Sequence, residues 1–170
     1  MNSSPVYREI SLPIPENADQ GDFFIMYFKK VVKLLNIKWV AMDEMEAGDE
    51  TSGRKTFNRY FVPAYLEKME TPMFEPEIFS IPELIEFFPP RSGIDWLTLY
   101  CCKKRQEAEL IELKDGSLGS VQKCLITLRV VDSGYIYFIG LPSVIEKIEH
   151  ILPPVDWIRD MPINEMVWPS

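Results

Sequence analysis

Residues 123–140 read KCLITLRVVDSGYIYFIG, and this stretch sets the class of fold. In its first half Cys124, Ile126, Leu128 and Val130 alternate with Thr127 and Arg129. Successive side chains of a strand point to opposite faces, so the pattern predicts a half-buried antiparallel strand with the apolar set inward. Asp132-Ser133-Gly134 follows, and a glycine at the left-handed position of a three-residue loop turns one strand back on another. YIYFIG is the returning strand. The stretch is a β-hairpin.

Toward the C-terminus, Leu141-Pro142 precedes SVIEKIEHIL, a predicted helix. Ser143 and Glu146 have capping-box spacing, and Ile145, Ile148 and Leu152 form one apolar face. Pro153-Pro154 stops it. The tail 155–170, VDWIRDMPINEMVWPS, carries Trp157 and Trp168 and is expected to pack against the domain.

Upstream of the hairpin, DWLTLYCC (95–102) predicts a further strand, rich in β-branched and aromatic residues. QEAELIELK (106–114) has the composition of a helix, but its place before the Asp115-Gly116 turn favours strand. Residues 70–91 hold five prolines, which leaves room for extended turns and one short helix, PELIEFF. NRYFVPAYLEKM (58–69) predicts a helix starting at or after Pro63. Residues 23–42, FFIMYFKKVVKLLNIKWVAM, predict a helix central to the domain, capped near Asp22, with a narrow solvent stripe at Lys29, Lys33 and Asn36. Residues 43–55 are expected to form a loop punctuated by Gly48 and Gly53. REISLPIPEN (8–17) is a short extended piece ended by Pro13 and Pro15.

Helices first, then strands closed by a helix, is the order of an α+β fold. The expectation is N-terminal helices followed by a roughly four-stranded antiparallel meander and a C-terminal helix. The 170 residues suit a single globular domain over 1–170.

Composition narrows the function. Hydrophobic residues make up 46 % and charged residues 26 %, ordinary for a soluble protein. The first ten residues show no basic region followed by an apolar one, so no signal peptide is expected. Lys29, Lys30, Lys33 and Lys38 interrupt the most apolar run, which argues against a membrane span. Cys101, Cys102 and Cys124 are an odd number with two adjacent, a poor disulfide framework that fits a reducing cytoplasm. The net charge of −8 opposes nucleic-acid binding, and the one basic cluster, Lys103-Lys104-Arg105, reads as a turn.

Catalytic and metal motifs are missing. His150 is the only histidine, placed near a helix C-terminus where it favours the negative end of the dipole. Cys101 and Cys102 point to opposite faces, and Cys124 falls on the inward face of its strand. No CxxC, HxxxH or HExxH spacing supplies zinc ligands, and no G-x-S-x-G elbow supplies a serine nucleophile. GSLGS (116–120) lacks the lysine and spacing of a phosphate loop. No catalytic residue, metal or cofactor is expected.

One cluster remains. Asp43, Glu44, Glu46, Asp49 and Glu50 place five carboxylates in eight residues with no basic residue among them. As a calcium loop from Asp43 the segment fails, because Met45 and Ala47 occupy the third and fifth positions and Arg54 the twelfth. As a catalytic pair it fails too, since adjacent acids share one environment. Residues 43–90 carry eleven acidic and four basic residues, −7 of the chain's −8. Charge gathered in this way speeds association with a basic partner. Met42, Met45, Phe57 and Tyr60 lie in the same region, and interfaces favour such types.

The expected function is a non-enzymatic protein-binding module, an inhibitor or immunity-type protein that neutralises a basic toxin or nuclease through this acidic face. A solvated loop is the bland alternative. A small enzyme using carboxylates and tyrosines around a pocket between helices and sheet, joined by Cys102 or His150, or a subunit of a larger assembly that buries Trp157 and Trp168 against a neighbour, would be the others.

Overall fold

The computed structural model describes residues 5–49, 53–57, 77–87, 94–111, 121–131 and 134–165, and leaves the side chains of 43, 44, 46–49, 53–57 and 95 undescribed. In chain order the elements are β1 (Val6–Pro13), α1 (Gln20–Leu35), β2 (Trp39–Asp49), β3 (Gly53–Phe57), β4 (Glu77–Ser80) and α2 (Ile81–Phe87). Then come β5 (Ile94–Cys102), α3 (Arg105–Glu109), β6 (Ile126–Val131), β7 (Tyr135–Gly140), α4 (Pro142–Glu149) and β8 (Trp157–Pro162). A 3₁₀ turn, Ile163–Glu165, follows.

All the strand pairings are antiparallel. Seven strands lie side by side in the order β3-β2-β5-β6-β7-β1-β8, and β4 pairs with β2 beside β3. This overturns the expected architecture. The sheet is far wider than a four-stranded meander, and the chain opens with a strand, not with helices. The strands beyond the expected meander include β1 (VYREISLP), β2 (WVAMDEMEAGD) and β8 (WIRDMP), whose sequences carry charge. Local alternation is weak there, and pairing with β5, β7 and β1 supplies what the local pattern does not.

One face of the sheet is a large apolar core. Ile10, Leu12, Val40, Met42, Leu97, Leu99, Leu128 and Phe138 line it. From α1 come Phe24, Phe28, Val31 and Leu35, from α2 Leu84, and from α4 Ile145 and Ile148. Burying one such side chain fully stabilises by about 1.5–3 kcal/mol, so this face dominates the energetics.

Helix α1 begins at Asp19, whose carboxylate accepts the Asp22 N–H at 2.9 Å; Asp22 itself sits in the first turn. Asn36 ends the helix in the left-handed conformation, φ 55°, which asparagine tolerates. The helix is not central. It lies on the sheet with one face buried, and Met26 and Leu34 look outward beside Lys29, Lys30 and Lys33, a much broader exposed side than the stripe expected.

The other helices depart from their expected signals in informative ways. Before α2, the Ser80 hydroxyl accepts the Glu83 N–H and donates to its carboxylate at 2.7 Å. Pro142 occupies the first turn of α4 behind Leu141, so Ser143 lies inside the helix and caps nothing. Glu146, free of capping, reaches Arg8 instead. Residues 105–109 are helical, against the strand reading of 106–114, and the Glu107 carboxylate accepts the Lys104 N–H at 2.9 Å. Composition outweighs position there.

The β6–β7 hairpin forms as its sequence requires, with the Gly134 N–H bonded to the Val131 carbonyl at 3.2 Å. Strand β6 is buried on both faces, however. It lies in the middle of the sheet, and Thr127 and Arg129 are buried along with Ile126, Leu128 and Val130. The tail packs as expected, as edge strand β8 on β1. The expected helix at 58–69, the loop residues Asp132 and Ser133, GSLGS and Trp168 lie outside the described residues. Among the described residues, no helix is long and apolar enough to cross a membrane.

Candidate interaction surface

The acidic segment is strand, not loop. Strand β2 pairs with β5 along one edge, and on its other edge with β4 at Trp39–Met42 and with β3 at Met45–Asp49. What holds this charged sequence in the sheet is apolar: Met42 and Met45 are buried in the main core. Those two methionines therefore belong to the interior and not to an interface. The register against β5 shifts between Met42 and Glu44, where Asp43 sits, and again between Glu46 and Ala47. Such bulges locally twist a strand and re-aim its side chains.

On β3, Arg54 stands opposite Gly48, Lys55 opposite Ala47 and Gly53 opposite Asp49. Two cations thus enter the same ladder as the carboxylates. Glu50 lies outside the described residues.

Register carries the acidic strand across the molecule. Glu44 pairs with Thr98, Thr98 with Arg129, Arg129 with Tyr137, Tyr137 with Ser11, and Ser11 with Trp157. One rank of residues therefore runs from β2 to β8 through six strands. At a strand spacing of about 4.8 Å it spans roughly 24 Å. The neighbouring rank, Ala41, Tyr100, Thr127, Ile139, Glu9 and Arg159, is apolar at the β2 end and charged at the β8 end.

Apart from Glu44, whose side chain is undescribed, the residues of these ranks lie on the second face of the sheet, opposite the main core. Part of that face holds a smaller apolar cluster: Tyr7, Ala41, Tyr100, Cys102, Ala108, Ile111, Val121, Ile139 and Ile163. Beside it is a polar cluster that is nearly closed to solvent, with Glu9 and Arg129 each 6 % exposed. The Arg129 Nε donates to the Thr98 hydroxyl at 3.2 Å. The Arg159 guanidinium lies 3.5 Å from the Glu9 carboxylate and 5.1 Å from the centre of the Trp157 ring. Tyr137 meets Trp157 edge-on with ring centres 6.1 Å apart.

Burial raises the pKa of Glu9, while Arg159 and Arg129 act against that rise. Tyr137 is also raised, by burial first and the Glu9 charge second, with the Ser11 hydroxyl opposing. The rim is more open: Trp157 and Tyr135 are each more than a third exposed.

A second charge cluster ties β8 to the other side of the sheet. Arg8 grips Asp160 through two bonds, 2.6 and 2.9 Å, and approaches Glu146 at 3.3 Å and Glu149 at 3.6 Å. The Arg8 hydrogen bond holds Asp160 below the usual carboxylate range. Three carboxylates around one guanidinium join β1, β8 and α4.

The thiols are set against catalysis. Burial pushes Cys101 well above the ordinary thiol range and carries Cys102 and Cys124 up to about 12. A nucleophilic cysteine needs the opposite shift. Cys101 and Cys102 do face opposite ways, one in each apolar cluster. Cys124 precedes β6 and packs on the second face, its sulfur 3.2 Å from the Thr127 hydroxyl, and not on the inward face as its spacing suggested. His150 caps α4 and is exposed. Among the described residues, no group of three or more His, Cys, Asp or Glu side chains is placed to hold a metal ion. Lys103 and Lys104 form the expected bend, and Arg105, opening α3, stacks on Trp39 at 5.0 Å and pairs with Glu109.

Sequence reasoning missed Glu9, Arg129, Arg159, Tyr137 and Trp157 as a group. A signal was present: the pairs Glu9 and Ser11, Thr127 and Arg129, and Trp157 and Arg159 each stand two residues apart, the spacing of one strand face. Only strand order brings the three segments together.

An antiparallel sheet with a dry helical face and a polar second face is the class of protein these features define. Comparison with family models, with curated proteins and with solved structures finds no match.

Proposed function

We propose that this chain is a non-enzymatic, cytoplasmic protein-binding module, an inhibitor or immunity-type protein that neutralises a basic partner such as a toxin or nuclease. The acidic stretch Asp43, Glu44, Glu46, Asp49 and Glu50 is the docking element. The observation that carries the reading is the backbone beneath it: the first four of these residues lie on strand β2, where Glu44 pairs with β5, Glu46 with both β5 and β3, and Asp49 with β3. Carboxylates on a paired strand lose less freedom on binding than those on a loose loop, and preorganisation lowers the cost of association. Over residues 43–57 five acids face two bases, Arg54 and Lys55, so the hairpin keeps a net negative charge.

The test begins with capture of the partner from the native cell and its identification by mass spectrometry. Association rates are then compared for the wild type and for a variant with all five acids changed to lysine, with circular dichroism to confirm that the sheet is intact. The expected result is a 10–10³-fold slower association and a weaker dependence on salt. An unchanged association rate in a folded variant overturns the reading.

A further inference from the structure

We draw no further inference here: the strongest candidate, the buried Glu9–Arg129–Arg159 cluster with its half-open Trp157 and Tyr137 rim on the second face of the sheet, carries nothing because nothing in the structure shows which ligand or partner would cover it.

Discussion

The two faces of the sheet solve the same packing problem by different physics. The first face is apolar across β2, β5, β6, β7 and β1 and is covered by α1, α2 and α4. Its stability is a sum of many non-directional contacts, which tolerate modest changes of shape but not loss of volume. The second face shares its area between a small apolar cluster and a polar one in which Glu9, Arg129, Arg159 and Thr98 depend on one another. Buried polar groups add little net stability when satisfied and cost much when one partner is removed. One face therefore supplies most of the folding free energy, and the other imposes a specific arrangement of charge.

The sharpest way to probe this contrast is truncation on each face. Phe138→Ala on the first face should destabilise by about 3–5 kcal/mol in urea unfolding, because the large side chain is wholly buried. A loss under about 1 kcal/mol would mean that the first face is not the main source of stability.

The second face should respond in a way that depends on pairs. Arg129→Met strands Glu9 with less compensation and should cost about 3 kcal/mol. Adding Glu9→Leu to it should recover part of that loss, since Arg159 is exposed enough to turn toward water. Strictly additive losses in the double variant would show that the two residues are not coupled.

Titration separates the faces by sign. Asp160, on the first-face side, has a lowered pKa; its ionised form is favoured by folding, so its contribution is present above the unfolded value near 3.8 and fades as pH falls through the folded value. Glu9 has a raised pKa; folding disfavours its ionised form, so its contribution is full below the unfolded value near 4.5 and is lost as pH rises through the folded value. Urea unfolding at intervals from pH 3 to 7 should show Asp160→Asn reducing the loss of stability on acidification and Glu9→Gln enlarging it. Shifts of the same sign in both variants would undo the contrast.

The smallest effect belongs to the end of a first-face helix. Asp19→Ala removes the cap of α1 and should cost about 1 kcal/mol by thermal unfolding. Replacement by asparagine, which also caps, should restore most of it.

How much of this was legible beforehand varies with what each segment carries. The hairpin of β6 and β7 was legible because both strands alternate and a glycine marks the turn. PELIEFF was legible as α2 because prolines fence it in. The acidic segment was read as a loop because charge and glycine are loop signals; Met42 and Met45 alternate too weakly around the bulge at Asp43 to reveal a strand. Ser143 and Glu146 had the spacing of a cap, yet Pro142 starts the helix and Arg8 claims the glutamate. In the two misread cases a partner distant in the chain takes part, β5 for the acidic segment and Arg8 for Glu146.

By itself, then, the amino-acid order determined where the chain turns, which segments are strongly amphipathic, that the thiols build no disulfide framework, and that negative charge gathers between residues 43 and 90. Tertiary structure alone decided that β2 and β8 are strands, that the extended REIS segment joins the sheet as β1, that the sheet is seven strands wide, and that Glu9, Arg129 and Arg159 meet. The physical reason is that a strand's hydrogen bonds are made to other strands. A helix satisfies its backbone within its own sequence, whereas β1 finds β7 more than a hundred residues away, and no local pattern records that distance.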